Sequence, residues 1–242
     1  MEDSGQKPWF AELSLHTLTE EYQTEGLVQR FNYEISRFAP EERAMVYQAF
    51  VVASILHFED SRVVEPYINH PLRVALRLMT HYEVDDAEVI CAALLHDTVE
   101  DHARVLAGPL DDGVSTRELA LSTLASWFSP RVAGLVRELS NPIVPEGVDK
   151  NEYYYTHLNQ LAELDDPWPI LIKLSDFTDN GTGILYTPGP KAKTLSTKYY
   201  PAIPIFRRAI QRTDLPISEE VRVHISQQLD ITEERLLVVM AQ

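Results

Sequence analysis

Seven consecutive apolar residues, Val89-Ile-Cys-Ala-Ala-Leu-Leu95, run without a break into His96-Asp-Thr-Val-Glu-Asp101. A helix that is apolar on every side has to be enclosed by other elements. The charged residues that follow are therefore delivered to a core, where a carboxylate is costly unless it is paired or bound to a cation. If the helix continues, His96 stands beside Glu100 and Asp97 beside Asp101, both as i, i+4 neighbours. An imidazole and three carboxylates then share one helix end, and a divalent cation is the simplest compensation for their repulsion. A solvated acidic terminus is the alternative reading, but acids at a helix C-terminal end oppose the helix dipole.

The rest of the chain supports a helical enclosure. Leu18 to Phe38 has apolar residues at helical spacing, and Pro40 with Glu41 and Glu42 opens a second helix to about His57. Arg62 to Tyr67 reads as a loop, and Pro71 starts a helix ending near Tyr82. Asp85 with Glu88, and Ser115 with Glu118, fit capping boxes. Ser129-Pro130 begins another helix to about Ser140, followed by one over Lys150 to Leu164 and one from Asp166-Pro167 through Asp176. Gly181 to Lys191 holds three glycines and two prolines and reads as irregular. Lys193 to Arg212 is helical with breaks at Pro201 and Pro204, and Glu219 to Ala241 closes the chain as one or two helices. Ile170 to Leu174 suits strand or helix, and its Asp-Pro start favours helix. The fold class is therefore all-α, a multi-helix bundle. Residues 1–40 read as an N-terminal helical extension and 41–242 as the main domain, with helices over 191–242 after a motif-bearing core at about 50–180.

Charge narrows the partners. Against 21 lysines and arginines stand 37 acids, a net charge of −16. Nucleic acid and anionic membranes demand a basic surface, so neither is expected as a partner. The first residues lack a signal-peptide layout, and no apolar stretch suffices to span a bilayer. The single cysteine, Cys91, fits a reducing compartment such as the cytoplasm.

Two further charged intrusions accompany the first. Asp176 and Asn180 stand at i, i+4 directly after the apolar run Ile170-Leu-Ile-Lys-Leu174, though Asn180-Gly181 also suits a helix stop. His70 lies in Pro66-Tyr-Ile-Asn-His-Pro71, where the following proline favours extended backbone at a helix start. A histidine serving only to start the helix is the plainer alternative there.

Taken in order, Pro66-Tyr-Ile-Asn-His-Pro71, Ala92-Ala-Leu-Leu-His-Asp-Thr-Val-Glu-Asp101 and Ile172-Lys-Leu-Ser-Asp-Phe-Thr-Asp-Asn180 resemble the HD superfamily of metal-dependent phosphohydrolases. Within it they resemble the hydrolase domain of Rel/Spo-type alarmone enzymes and the small alarmone hydrolases. The resemblance covers about 50–180 and implies an HD-domain bundle around a metal held by His70, His96, Asp97 and Asp176. Such a nitrogen/oxygen set suits Mn²⁺, which the resemblance favours, with Fe²⁺ or Zn²⁺ as alternatives. It further implies catalytic roles for Glu100 and Asp101 and nucleotide contacts at Arg62, Tyr67 and Asn180, with a looser correspondence at Tyr199. Lys173, Lys191, Lys193 and Lys198 are candidate phosphate partners, because an acidic chain must create a local positive site for an anion. His57 matches a family histidine that does not bind the metal, and no additional histidine set stands out for a second ion.

The implied reaction is Mn²⁺-dependent hydrolysis of a nucleotide 3′-pyrophosphate, with (p)ppGpp giving GDP or GTP plus pyrophosphate. The chain departs from the family where a base would be read. Arg62 is followed by Val63-Val64-Glu65, one residue shorter than the family loop and without its lysine and serine, and Thr182 and Gly183 follow Asn180 in place of an arginine and a threonine. These departures leave (p)ppApp, NADPH or another nucleotide open as substrate. A non-catalytic nucleotide sensor is the rival from another class, and the acids Glu100 and Asp101 speak against it. The oligomeric state is not legible.

Overall fold

The computed structural model describes residues 7–62, 65–109 and 114–242. Thirteen α-helices occur among them: α1 (Leu15–Ile35), α2 (Pro40–Leu56), α3 (Asn69–His81), α4 (Ala87–Leu95), α5 (Thr98–Asp101), α6 (Ala103–Ala107), α7 (Thr116–Trp127), α8 (Pro130–Leu139), α9 (Lys150–Glu163), α10 (Trp168–Gly183), α11 (Gly189–Tyr199), α12 (Ile203–Ala209) and α13 (Glu219–Met240). The only β pairing among the described residues is an isolated bridge between Ser61 and Pro66. The architecture is all-α, as the helical periodicity predicts.

Helix α4 is the hub. All its residues except Glu88 are buried, and it packs among α2, α3 and α8. Each Val, Leu or Ile enclosed this way contributes about 1.5–3 kcal/mol. Helix α10 is a second buried rod, running between α3, α8, α9 and α13. The end of the first rod and the middle of the second come to one place. Helix α1 belongs to the same core, since Leu18, Leu27 and Phe31 are wholly enclosed and the helix packs on α3. Its Gln23 has φ 53° and ψ −147°, which breaks the helix and directs the next residue, Thr24, to donate to Asn69 Oδ1 at 2.8 Å.

Several local expectations are corrected. The helix carrying His96 does not continue to Asp101: α4 stops at Leu95 and α5 restarts at Thr98. His96 Nδ1 takes the Ala93 carbonyl (2.8 Å) and Thr98 Oγ1 takes that of Leu95 (2.7 Å), so side chains occupy acceptors that end the first helix. His70 is helical rather than extended, because Pro71 falls in the first turn of α3, where a missing amide costs nothing. The cap of α4 is Asp86, which accepts from the amides of Glu88 and Val89, whereas Glu88 pairs with Arg131. Ser115 does cap α7, but Glu118 turns to Arg137. Asn180-Gly181 does not stop α10. A Cβ on Gly181 would lie 2.4 Å from Thr232 Cγ2, so the glycine serves close packing against α13. Gly181 to Lys191 is accordingly mostly ordered, as the end of α10, a 3₁₀ turn at Ile184–Tyr186 and the start of α11.

Candidate active site

Four side chains from three segments converge where the start of α3, the break after α4 and the middle of α10 meet. His70 comes from the first turn of α3, His96 and Asp97 from the break between α4 and α5, and Asp176 from the middle of α10. His70 Nε2 lies 3.2 Å from Asp176 Oδ1 and 3.8 Å from Asp97 Oδ2. His96 Nε2 lies 3.0 Å from Asp97 Oδ2 and 3.9 Å from Asp176 Oδ1. Donor atoms of His70, His96 and Asp176 all fall within 4.8 Å of one another, and all three residues are buried.

The protons of these imidazoles are committed elsewhere. His70 Nδ1 donates to Asp179 Oδ2 at 2.8 Å, and His96 Nδ1 to the Ala93 carbonyl at 2.8 Å. With Nδ1 engaged, each ring turns its Nε2 toward carboxylate oxygens. His96 Nε2 is buried with no hydrogen-bond partner, its Asp97 neighbour being close but out of line. Lone pairs facing carboxylates repel unless a cation lies among them. Without a cation the same negative charge draws a proton instead: burial disfavours a charged His96, but the adjoining Asp97 outweighs it and raises His96 to about 9. Burial likewise opposes ionisation of Asp176, yet Lys173 and the two histidines hold its carboxyl well below the usual range. Two imidazoles and two carboxylates, with an orphaned nitrogen at the centre, fit a divalent metal of the Mn, Fe or Zn class.

Each donor is braced from behind. Tyr67 Oη donates to Asp97 Oδ2 at 2.6 Å, and Lys173 Nζ sits 3.0 Å from Asp176 Oδ2. Asn180 Nδ2 donates to Asp176 Oδ1 at 2.6 Å. Asp179 behind His70 also accepts from Arg73 (Nε, 2.8 Å) and from Arg77 (3.2 Å). Glu65 holds the far side of Arg73 at 2.6 Å.

Residues 67–179 match the family model described as "HD domain". That stretch is similar to an HD domain. A guanosine-3′,5′-bis(diphosphate) 3′-pyrophosphohydrolase of Aquifex aeolicus is 35% identical over 143 residues, 58% of this chain and 18% of that protein. The enzyme of the same description named MESH1 in Danio rerio is 67% identical over 36 residues, 15% of this chain and 20% of its own. The chain thus matches about a fifth of the length of each relative. A solved structure described as a metazoan ortholog of SpoT that hydrolyses ppGpp superposes with a TM-score of 0.56 at 20% identity, covering 77% of this chain and 94% of that one. At that identity the likeness speaks for the fold.

Two hollows adjoin these four side chains. The smaller, about 170 Å³, is lined by His70, Asp97, Asp176, Lys173, Lys198 and Asn141 among others. The larger, about 840 Å³, lies between α1, α3, α10 and α11, with Gln23, Arg73, Tyr186 and Lys191 in its wall. Arg62, Tyr67, Asn180 and Tyr199 line both, so the two are continuous. The Arg62 guanidinium lies over the Tyr67 ring at 5.4 Å, and burial pushes the Tyr199 phenol up to about 12. Burial and Lys173 lower Lys198, whose ammonium stands 4.6 Å above the Tyr154 ring.

The expected residues thus sort by place. His70, His96, Asp97 and Asp176 come together, with Lys173, Asn180, Tyr67, Arg62 and Tyr199 around them. Glu100 and Asp101 line neither hollow. Glu100 instead accepts from the Asn141 amide (2.6 Å) and side chain (3.1 Å), which places Asn141 in the wall of the smaller hollow. Asp101 stands beside it, raised to about 6 by burial and by the charges of Asp97 and Glu100. Lys193 is exposed on α11 and lines neither hollow. Val63 and Val64, where the sequence departs from the loop of the resembled family, lie outside the described residues. Sequence reading missed Asp179, Arg73, Arg77, Asn141 and Tyr154. Arg73 and Arg77 were detectable as an i, i+4 pair of cations in a helix otherwise bound for the core, and Asp179 as an acid one turn beyond Asp176.

Proposed function

We propose that this HD-like domain hydrolyses nucleotide 3′-pyrophosphates, (p)ppGpp first among them, with Mn²⁺ at His70, His96, Asp97 and Asp176. The observation that carries the proposal is the junction of the two hollows. A nucleoside-sized space of about 840 Å³ opens onto a pocket of about 170 Å³ that holds the metal donors and two lysines. A diphosphate on the ribose, pointing away from the base, fits that division. The relatives named as guanosine-3′,5′-bis(diphosphate) 3′-pyrophosphohydrolases support the same substrate class.

The chain's own groups have separable tasks. Lys173 and Lys198 meet the charge of the pyrophosphate, and Arg62 and Tyr199 line the passage through which the nucleotide enters. A divalent cation bound in such a site supplies Lewis-acid polarisation of the phosphate oxygens and lowers the pKa of water. Asp101, held near neutrality, accepts the proton of the attacking water, and Glu100 fixes the wall against which that water is placed through its two bonds to Asn141. Water adds to the 3′-phosphorus, the bond to the ribose 3′-oxygen breaks, that oxygen takes up the proton released from the water to become the 3′-hydroxyl, and pyrophosphate leaves the nucleoside diphosphate or triphosphate. The product then departs through the larger hollow.

The test is a panel of ppGpp, ppApp, NADPH and GTP incubated with the protein and Mn²⁺, Fe²⁺ or Zn²⁺, with products separated by chromatography. Pyrophosphate release from ppGpp, fastest with Mn²⁺, is expected. Orthophosphate release from NADPH alone would assign a different HD phosphohydrolase, and tight nucleotide binding without turnover under every metal would make the protein a sensor.

A further inference from the structure

A second histidine–aspartate cluster lies beside the first, although the sequence displays no such set by spacing. His57 ends α2, Asp60 follows it in the same turn, and His102 joins α5 to α6. Asp60 Oδ2 is 2.7 Å from His57 Nδ1 and 2.7 Å from His102 Nε2, and those two nitrogens are 3.2 Å apart. Three donor atoms from two distant segments thus point at one spot.

We propose that His57, Asp60 and His102 form a second divalent-cation site, of the zinc class, that clamps the Arg62 loop to the Glu100–Asp101 segment. Two imidazoles and a carboxylate with a solvent-facing side match the three-ligand pattern of zinc, a water completing the tetrahedron. Bond lengths of about 2.0–2.2 Å set tetrahedral ligand atoms roughly 3.3–3.5 Å apart. The two nitrogens already stand near that separation, and the Asp60 carboxylate, whose side chain is 37% exposed, has room to retreat by the remaining distance of roughly 0.6–0.8 Å. Its neighbours fit a neutral, ligand-competent ring: the His57 side chain is almost wholly buried, and burial lowers its basicity.

The clamp has a route to the donors of the first site. His57 stacks on Tyr67 with ring centroids 4.4 Å apart, and the Tyr67 amide donates to the Asp60 carbonyl at 3.2 Å. Tyr67 in turn donates to Asp97. Fixing His57 and Asp60 therefore fixes the ring that orients a donor of the first site. On the other side, His102 directly follows Asp101, so the same ion sets where that carboxylate stands. The alternative occupant of the cluster is protons alone, with both imidazoles donating to the one carboxylate oxygen.

Metal content decides between them. The full-length protein is dialysed against buffered Zn²⁺ and zinc per chain is measured by plasma mass spectrometry, with circular dichroism to confirm folding. Two equivalents are expected for the native chain, one for His102→Gln, one for Asp176→Asn, and none for the double variant. His102 and Asp60 are partly exposed, so Asp60→Asn serves as a second variant if His102→Gln unfolds. A Co²⁺-loaded Asp176→Asn protein should show a tetrahedral visible spectrum that vanishes with His102→Gln. One equivalent in the native chain, or native stoichiometry in both His102→Gln and Asp60→Asn, overturns the proposal and leaves a proton-bridged cluster.

Discussion

Asp179 is the residue whose replacement tests the architecture of the site most severely. It is 3% exposed and accepts from His70, Arg73 and Arg77 at once. Asp179→Ala leaves Arg77 without its carboxylate, leaves Arg73 with only Glu65, and frees His70 Nδ1. Removing one partner of a buried ion pair costs about 3–5 kcal/mol, because the remaining charge is stranded. Glu65, which precedes α3, offsets part of this for Arg73 but does not pair with Arg77. For a chain of this length the loss corresponds to a fall in Tm on the order of 10 °C. The second consequence is local. With its Nδ1 unheld, His70 no longer presents Nε2 in a fixed direction, and loss of such a brace weakens metal binding by roughly 10–100-fold. The assays are thermal unfolding with metal chelated and equilibrium metal titration. Asp179→Asn separates the two effects: it retains an acceptor for His70 while losing the charge, so stability should fall with a smaller change in metal affinity. A native Tm and native affinity in Asp179→Ala would refute the reasoning that this carboxylate holds α3 to α10 and aims His70.

Asp101→Asn should retain metal and substrate affinity and lower kcat by about 10²–10⁴-fold in a steady-state assay; loss of the metal instead would make Asp101 a ligand. Arg62→Ala should raise KM for ppGpp and ppApp by similar factors and leave metal content unchanged, since a guanidinium stacks on either purine face. Gly181→Ala gains helix propensity but drives a methyl into Thr232, and urea unfolding should show a net loss of about 1–3 kcal/mol. His81 and His157 are both lowered to about 4, by burial first and then by neighbouring cations, so each is neutral in the fold while the unfolded chain binds protons near 6.5. The unfolded state then holds more protons between about pH 4 and 6.5, and stability should decline as pH falls through that window, with a shallower decline in His81→Asn.

Local signals in the chain were readable because they depend on neighbours in sequence. The apolar run before His96 and the serine cap with proline before α8 need only a few residues each, and the first of them points directly at His96 and Asp97. What escaped reading depends on distant partners. Asp179 meets Arg73 across α3 and α10, and Asp60 meets His102 across the Arg62 loop, contacts that no periodicity encodes. The continuation of α10 past Gly181 was also illegible, because its reason is the close approach of Thr232 from the last helix. The break after Leu95 belongs to an intermediate class. Its cause is local, since His96 and Thr98 cap the preceding carbonyls, but histidine as a capping group carries no strong sequence signature.

The bracing of the donors explains how a site so unfavourable to itself is held in place. His70 is tied by Asp179, His96 by the Ala93 carbonyl, Asp97 by Tyr67 and Asp176 by Lys173 and Asn180. Each of the four side chains is thus held by at least one neighbour, which restricts how far it can swing away to relieve the repulsion at the centre. The strain is borne by the folding of α4 and α10, whose apolar burial supplies far more free energy than the few kcal/mol that an unbalanced buried cluster costs. A cation entering such a cluster pays no reorganisation of its ligands and removes a repulsion already present. Its affinity therefore comes from the arrangement of the apolar helices as much as from the four side chains it touches. Substitutions in α4 that loosen packing without touching any donor act on the metal through that route.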